Sequence, residues 1–379
     1  MFTKNKPMNH RLLKKIVLLA LVLSFYCLPL VAQQVVYVKK SATGSNTGES
    51  WANAYTELQT ALSAAASGTE IWVAAGSYTP QPGANAANVD RTSSFVLKNG
   101  VAIYGGFAGT EATRAERNWK LNAAYLSGDL LGNGSGSSTN ADNAYTVVTA
   151  SNTNSTAVID GFYIVSGRAD KATSSWSSAD RAGAGIYGSA AGATISNISV
   201  SGCYADYGGG IFLQYSPIGL LNITLDGNEG RIGGGALYLQ NSNVTLKGIT
   251  VRGNRSSLGA GLSIAAGTVT IKRAAITDNQ SNGSGGGIYN NGGTVTITNT
   301  LIAKNKPEGY RGGTNTGTVE LINVTIADNI STGIKCGADN MSIKNSIIWG
   351  ESQTSAVAGT GTLIVVNSDV KGGVSRTGN

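Results

Sequence analysis

The sequence predicts an all-β solenoid, a parallel β-helix, and three observations lead to this fold class. From position 222 to 299 the chain repeats with a period of 25 or 26 residues. The apolar runs within each period are short, alternate with polar residues and are rich in Val, Ile and Thr, as strands are. Glycine triplets and asparagines recur at fixed places in the period. A unit of this length cannot bury its own apolar face, so the fixed period indicates stacked coils around a shared core.

Each coil is predicted to contain three short strands joined by polar turns, with alternate side chains directed into the core. The predicted inward residues are Val244, Leu246, Ile249, Val251, Val269, Ile271, Ile276, Val295, Ile297 and Ile302. The predicted outward residues are Thr245, Lys247, Thr270, Lys272, Thr296 and Thr298.

Three columns of turn residues keep step with the strands. One column reads Cys203, Asn228, Asn254, Asn279, Asn305, Asn329, and a second reads Asn197, Asn222, Gly248, Arg273, Asn299, Asn323, Asn345, Asn367. The glycine triplets lie at 208–210, 233–235, 259–261 (with Ala260) and 285–287. Asn tolerates left-handed backbone, and stacked Asn side chains can form amide ladders. A row of metal ligands is the functional alternative, although most of these Asn lack a nearby carboxylate.

Residues 1–32 are predicted to be an export signal, with a basic region, an apolar core over 16–30 and a cleavage point near Ala32. Its removal leaves 23 Lys and Arg against 21 Asp and Glu, a net charge of about +2. Nucleic-acid binding then loses its compositional support. The single histidine, His10, is also lost, which excludes His-dependent triads, bases and zinc sites from the mature chain. No later apolar run is long enough to span a membrane.

Residues 33–130 are predicted to form an N-terminal cap and the first coils. Ser50 could cap an amphipathic helix from Trp51 to about Ala66, and that helix would cover the open end of the solenoid. Trp51 and Trp72 are expected to pack there. Residues 131–379 are predicted to form coils of about 22–26 residues, with polar loops at 132–143 and 168–181.

The two cysteines outside the signal, Cys203 and Cys336, are separated by about five coils. At ~4.8 Å per coil they are too far apart for a disulfide. We expect both to be buried, free thiols. Cys27 falls in the signal; a lipoprotein anchor at this residue is the alternative, with Phe25 and Tyr26 where small residues are expected.

Five N-terminal stretches carry a family resemblance: SWANAYTELQTAL, EIWVAAGSYTP, GVAIYGGFAGTE, LSGD and IDGFYIVSGRA. They resemble the pectin-lyase-like β-helix proteins that many bacteria secrete to the cell surface. The GGG and N-x-T-x-x-x-N units are similar to the repeats of polymorphic outer-membrane proteins. The resemblance covers essentially the whole mature chain. It implies a single-stranded right-handed parallel β-helix with an N-terminal capping helix. Relatives usually continue into a further strand and an anchoring domain, so the chain is predicted to be a shortened member or a fragment.

Two functions are compatible with this fold. The preferred hypothesis is a secreted or cell-surface, non-catalytic module, adhesin-like or glycan-interacting, that acts as a monomer on a polysaccharide or another surface protein. The alternative is a polysaccharide lyase or glycoside hydrolase that acts on an acidic polysaccharide. A lyase needs a Lys or Arg base, with cations on the uronate carboxylate, whereas a hydrolase needs paired carboxylates.

The candidate residues for the enzyme lie near the corners of neighbouring coils: Asp206, Asp226, Arg231, Arg252 and Arg255. Solvated corner charges are the alternative interpretation. The best ligand-contact candidates lie in the loop at 168–181, where Trp176 stands among Asp180, Arg181 and other charged residues. No metal site is predicted, although scattered Asp and Asn leave Ca²⁺ binding open, and no other cofactor is expected.

Overall fold

The computed structural model describes residues 34–134, 140–349, 357–358 and 362–372. The predicted signal at 1–32 lies outside the described residues. Within the described residues, one α-helix, α1, spans Leu58–Ala64, and short 3-10 helices span Arg114–Glu116 and Asn140–Asp142.

The remainder of the regular structure in this part of the chain, outside the segments left undescribed, is β-strand. The first strands are β1 Gln34–Val38, β2 Thr69–Ala74, β3 Gly76–Tyr78, β4 Phe95–Val96, β5 Ala102–Phe107, β6 Ala124–Ser127, β7 Val148–Thr149, β8 Val158–Asp160, β9 Tyr163–Val165, β10 Arg168–Ala169, β11 Ile186–Ser189 and β12 Thr194–Ser201. The next are β13 Tyr204–Tyr207, β14 Ile211–Gln214, β15 Pro217–Asp226, β16 Glu229–Gly233, β17 Leu237–Gln240, β18 Asn243–Lys247, β19 Thr250–Arg252, β20 Arg255–Leu258, β21 Leu262–Ala265, β22 Thr268–Lys272 and β23 Ala275–Thr277. The last are β24 Gln280–Ser284, β25 Ile288–Asn290, β26 Thr294–Ala303, β27 Glu308–Gly312, β28 Thr318–Ala327, β29 Thr332–Lys335, β30 Asn340–Lys344, β31 Ile347–Trp349, β32 Val357–Ala358, β33 Leu363–Val366 and β34 Asp369–Val370.

Three parallel sheets run along the solenoid. Sheet B has ten strands (β4, β7, β11, β14, β17, β21, β25, β27, β29, β32), and sheet C has five (β10, β13, β16, β20, β24). Sheet A contains the other 19 strands. In the central coils the chain passes from sheet A through sheet C to sheet B before it re-enters sheet A. The predicted all-β parallel solenoid is therefore confirmed.

The core consists of aliphatic columns that follow the predicted alternation. All ten predicted inward residues are buried, and Leu246, for example, is 1% exposed between Leu220 and Ile271 of the adjacent strands. The predicted outward residues Thr245, Lys247 and Lys272 are exposed, and the outward Thr of the next strands are half-buried. A pleated strand places alternate side chains on opposite faces, so the period-2 pattern was sufficient to assign this core.

The first asparagine column forms a buried amide ladder. The Nδ2 groups of Asn228, Asn254, Asn279 and Asn305 each donate to the Oδ1 of the next Asn, at 2.9–3.1 Å. Each of these oxygens also accepts the backbone N–H of the preceding Asn. Cys203 occupies the position before the ladder, and its backbone N–H donates to Asn228. The ladder satisfies polar groups at the corner between sheets A and C, as predicted.

The second column marks a bend within sheet A. All eight members have left-handed backbone, with φ between 48° for Asn367 and 67° for Gly248. Asn adopts this conformation at small cost because its short polar side chain can hydrogen-bond locally, whereas Arg273 lacks such a side chain and adopts it at a higher cost. The predicted turn role is confirmed.

The N-terminal helix is shorter than predicted. It begins at Leu58, not at Trp51, and the Ser50 hydroxyl accepts the Asn53 N–H in a turn at 3.2 Å instead of capping a helix. Leu58, with Ala61 and Leu62, is buried in the shared core. That the helix caps the solenoid stays a prediction.

The two N-terminal tryptophans pack as expected. Trp72 stacks on Phe107 with ring centroids 4.8 Å apart, and Trp51 lies edge-on to Tyr37 at the same distance. The indole N–H of Trp51 donates to the carbonyl of Glu111, which ties the 108–123 loop to the first coil.

The strands of sheet C were not predicted from the sequence. The segments between the asparagine corner and the glycine triplet were expected to be polar corners, but they form strands. Segments such as Arg255–Leu258 carry no apolar alternation, so their strand state is imposed by the parallel neighbours. β16 also contains one extra residue relative to β13. The paired residues of the two strands are 25 positions apart in the sequence at Glu229 and 26 positions apart at Gly233. As a result Gly208 aligns with Gly234, both with left-handed backbone, and not with Gly233 as the triplets suggested.

Cys203 and Cys336 are both buried and are not joined in a disulfide, as expected. Burial raises the pKa of the Cys203 thiol to about 12, which keeps the thiol protonated and unreactive at neutral pH.

Asp339 is a fully buried acid in the C-terminal coils. Its carboxylate accepts hydrogen bonds from the Tyr310 hydroxyl (2.5 Å), the Asn290 amide (3.1 Å) and the Gly317 N–H (2.8 Å). No Lys or Arg among the described residues forms an ion pair with it. Burial raises the pKa of Asp339 more than these three donors lower it.

We expect this acid to make stability depend on pH. A folded-state pKa above the unfolded value of about 3.9 gives a contribution that is complete below that value and is lost as pH rises through the folded pKa. The stability of the native protein relative to Asp339→Asn should therefore fall as pH rises from about 4. Urea unfolding of both proteins across a pH series measures this difference. A difference that stays constant with pH would contradict the role assigned to Asp339.

Candidate functional site

The outer face of sheet C carries two rows of charged and polar side chains. Strand pairing places Arg168, Tyr204, Glu229, Arg255 and Gln280 side by side in successive coils. A parallel row begins with Asp206 and continues through Arg231, whose carbonyl accepts the Ser257 hydroxyl at 2.8 Å. Parallel strands ~4.8 Å apart thus bring residues 25 or 26 positions distant in sequence into contact.

Asp206 is held between two arginines. Its carboxylate accepts Nε of Arg181 at 2.5 Å and both Nε and Nη2 of Arg231 at 2.6 and 2.9 Å. Burial alone would raise the pKa of Asp206, but the hydrogen bonds from Arg231 and Arg181 outweigh it and hold the pKa below its usual range. Asp206 is therefore an ionised anchor and is unavailable as a general acid.

A groove of about 470 Å³ lies directly beside this ion pair. It is lined by Glu229, Gly230, Arg231, Arg255, Ser256, Ser257, Gln280 and Asn282. Arg255 is exposed and pairs with no carboxylate among the described residues, unlike Arg231. The groove thus combines an available guanidinium with amide and hydroxyl groups, which are the donors and acceptors that sugars and carboxylates use.

The five predicted enzyme candidates do not form one cluster. Asp206, Arg231 and Arg255 lie on sheet C, but Asp226 and Arg252 lie on sheet A, where they form a separate exposed ion pair at 2.7 Å. The asparagine corner stands between the two groups, because Asn228 follows Asp226 and Asn254 follows Arg252 within two residues. Proximity in sequence therefore overstated proximity in space.

Of the loop predicted at 168–181, Arg168–Ala169 form strand β10 of sheet C, and the remainder joins the site. Arg181 reaches Asp206, while Asp180 accepts hydrogen bonds from Ser174 and Ser178. Trp176 is 37% exposed and its ring lies edge-on to Tyr207, with centroids 5.3 Å apart. The ring of Trp176 is thus packed against the coil beneath it, and its contact with a ligand stays a prediction.

A second charged cluster on sheet A holds a loop. Arg117 pairs with Asp160, which also accepts from Ser196 and Asn197. Arg114 pairs with Glu70 and stacks over Tyr104. These contacts fasten the 108–123 segment over the strands beneath it, and every charged group in them is engaged.

Neither a metal cluster nor a membrane-spanning helix is found in the described parts of the chain. No three His, Cys, Asp or Glu side chains there are grouped so that they could hold a metal ion. None of the helices described is both long enough and apolar enough to cross a bilayer.

The comparisons with known proteins concern the fold. No family model matches the sequence, and no curated protein matches it. The crystal structure of pectate lyase Pel9A superposes with a TM-score of 0.56 at 17% identity, over 89% of this chain and 78% of that chain. A rhamnogalacturonan lyase gives a TM-score of 0.49 at 12% identity, over 89% of this chain and 86% of that chain. The chain is thus a parallel β-helix with the pectin-lyase-like fold, as the resemblance predicted.

Sequence reasoning missed Glu229 and Gln280, which share the groove with Arg255. A signal existed, because positions 204, 229, 255 and 280 follow the same 25- or 26-residue step as the asparagine column. The row lies in segments that the sequence predicts to be polar corners, where no alternation of apolar residues marks a strand face.

Proposed function

We propose that the chain is an exported, non-catalytic surface protein that binds an acidic polysaccharide in the groove of sheet C. The observation that carries the proposal is Arg255, an exposed guanidinium with no carboxylate partner in the described parts of the chain, in a groove lined by amides and hydroxyls. Charge-assisted hydrogen bonds from Arg to carboxylate are stronger than neutral ones and are directional. Export follows from the predicted signal at 1–32, and a monomer is the simplest assembly that leaves the groove open.

The groove offers little support for hydrolysis. A hydrolase requires two carboxyl groups on either side of the scissile bond. Glu229 is the only carboxylate among the groove-lining residues, and the nearby Asp206 is occupied by two arginines. A polysaccharide lyase is the second candidate. It is favoured by the likeness of the fold to a pectate lyase and by the position of Arg255, which could stand beside a uronate.

We expect Arg255→Gln to weaken binding of a uronate oligosaccharide about ten- to a hundred-fold, because a hydrogen bond to a charged group contributes about 1.5–3 kcal/mol. Isothermal titration with oligogalacturonate at low ionic strength measures this loss. Added salt should weaken the native interaction, because the groove is open to solvent.

Arg252→Gln is the matched control, since Arg252 is exposed on the same coil but on sheet A. An equal loss of uronate affinity in both variants, or no loss in Arg255→Gln, would contradict the proposal that uronates bind in the groove. Absorbance from unsaturated uronate ends is followed in the same samples. If this absorbance appears with the native protein and is lost in Arg255→Gln, the chain is a polysaccharide lyase and the non-catalytic proposal is wrong.

A further inference from the structure

Gly219 lies on the outer face of sheet A, in a row where the neighbouring coils carry side chains. Strand register places it between Thr194 on β12 and Thr245 on β18, and Thr270 and Thr296 continue the row. Glycine weakens the interior of a strand, because it has no side chain to pack and loses more backbone freedom on folding than other residues. A glycine at this position therefore needs a physical reason.

The usual structural reasons for a strand glycine do not apply to Gly219. They are a bulge, a tight bend, or the close approach of another backbone. The pairing of β15 with β18 runs without a shift from Pro217 to Leu221, and the bend of this strand lies at Asn222. The backbone of Gly219 is not left-handed, and a Cβ added to it would meet no atom within 4 Å. No other glycine in the described part of the chain combines these two properties. The reason that remains is the close approach of a ligand.

The missing side chain leaves a hollow of about 250 Å³ on this face of the sheet. Thr194 and Thr245 border it on the two neighbouring strands. Leu221, which is 41% exposed, and Lys247 border it farther along the strands. Pockets for drug-sized ligands measure about 300–1,000 Å³, so this hollow has room for one smaller group, the size of a single sugar ring.

Lys247 gives the hollow a positive charge without a counter-ion. It is exposed and forms no ion pair within the described residues, and the same holds for Lys272, its exposed neighbour in the next coil. Like charges on adjacent strands repel each other. Farther along this face, Lys344 is neutralised by Glu320 at 2.8 Å. No carboxylate is present among the described residues that line the hollow. An anionic group bound at Lys247 would therefore relieve an uncompensated charge.

We propose that this hollow binds one acidic sugar residue, with the carboxylate of a uronate at Lys247. A pyranose has an apolar face of C–H groups and a rim of hydroxyls, and a uronate adds a carboxylate. The Cα of Gly219 and the exposed Leu221 present apolar surface to the ring face. The hydroxyls of Thr194 and Thr245 serve as donors and acceptors for the rim, and the ammonium of Lys247 donates to the carboxylate. The ligand class rests on the proposed function, but the site is a second one.

The hollow and the sheet C groove lie on different sheets. The hollow is centred on Gly219 in the first part of β15. The groove begins at Glu229, beyond the left-handed bend at Asn222 and the ladder corner at Asn228. A substitution in one site therefore leaves the side chains of the other in place, and the two can be tested separately.

The test uses the full exported chain and three probes: the methyl glycosides of glucuronate, galacturonate and glucose. Titration followed by saturation-transfer NMR measures the binding of each. Gly219→Thr should lose at least about ten-fold in affinity for the better uronate, because the new side chain fills the hollow. It should keep a native melting curve, since Thr favours strands and its Cβ has space at this position. The neutral glucoside should bind the native protein at least about ten-fold more weakly than that uronate.

Lys247→Gln should also lose about ten-fold in uronate affinity, because it removes the hydrogen bonds from the ammonium to the carboxylate. Lys272→Gln is the matched control. Lys272 pairs with Lys247 across the adjacent strands but does not line the hollow. Its charge acts on the ligand only through solvent and ions, so the control should stay within about three-fold of the native affinity.

Two results would overturn the proposal: no binding of either uronate to the native protein, or native uronate affinity in both Gly219→Thr and Lys247→Gln. Arg255→Gln separates the hollow from the groove. If affinity for the single uronate is lost in Arg255→Gln and kept in Gly219→Thr, the ligand lies in the groove and the hollow is wrong. If it is lost in Gly219→Thr while Arg255→Gln binds oligogalacturonate normally, the hollow is supported and the groove is wrong.

Discussion

Leu246→Asp is expected to abolish the cooperative unfolding transition of the central coils. Leu246 is 1% exposed and packs within the aliphatic column of sheet A. Removing the leucine side chain costs about 2–5 kcal/mol, and a carboxylate buried without a partner costs more. The sum is comparable with the whole stability of a typical domain, about 5–15 kcal/mol. Thermal unfolding followed by circular dichroism, together with limited proteolysis, measures the effect.

Thr245→Asp is the control for this substitution. Thr245 precedes Leu246 on β18 but is exposed on the outer face of the sheet. The control should unfold within a few degrees of the native protein. A native melting curve for Leu246→Asp would mean that the strand faces are assigned the wrong way round.

Asn279→Ala is expected to destabilise the chain by at least about 3 kcal/mol. Its Oδ1 accepts both the backbone N–H and the Nδ2 of Asn254, at 3.1 and 2.9 Å. Its Nδ2 donates to the carbonyl of Val251 and to Oδ1 of Asn305, both at 3.0 Å. The substitution leaves several buried polar groups unsatisfied, and each costs about 1–3 kcal/mol.

Asn282→Ala provides the comparison, because Asn282 is exposed on the same coil. It should change the free energy of unfolding by less than about 0.5 kcal/mol. Urea titration of both variants gives the two values. A similar, small loss for Asn279→Ala would show that the ladder contributes little beyond the backbone hydrogen bonds.

The sequence was sufficient for those parts of the fold that depend on local chemistry repeated many times. Leu246 and its column follow from period-2 alternation, and the ladder from Asn228 onward follows from a fixed step between identical side chains. The extra residue in β16 was not predictable, because an insertion next to Gly233 reads as an ordinary glycine triplet. Sheet C was missed for a related reason: its strands are held by their neighbours and not by an apolar pattern of their own.

The candidate site was predicted in part. Asp206, Arg231 and Arg255 do lie together, because they share the period of the solenoid. Arg181 was assigned to a ligand-binding loop, and its contact with Asp206 depends on how a non-repetitive loop folds back, which no periodicity encodes. Arg252 was placed with the others because sequence distance does not indicate on which side of a corner a residue lies.

The asparagine ladder also bears on how such a chain can change its length. A ladder in which each amide meets an identical amide does not distinguish one coil from the next. Between Asn228 and Asn329, a whole coil could be gained or lost while every remaining contact of the ladder finds an equivalent partner. Duplication or deletion of about 25 residues is then a tolerated change in this region, and it would lengthen or shorten the surface in steps of ~4.8 Å. The length of the solenoid would then be set by the number of equivalent coils between Asn228 and Asn329.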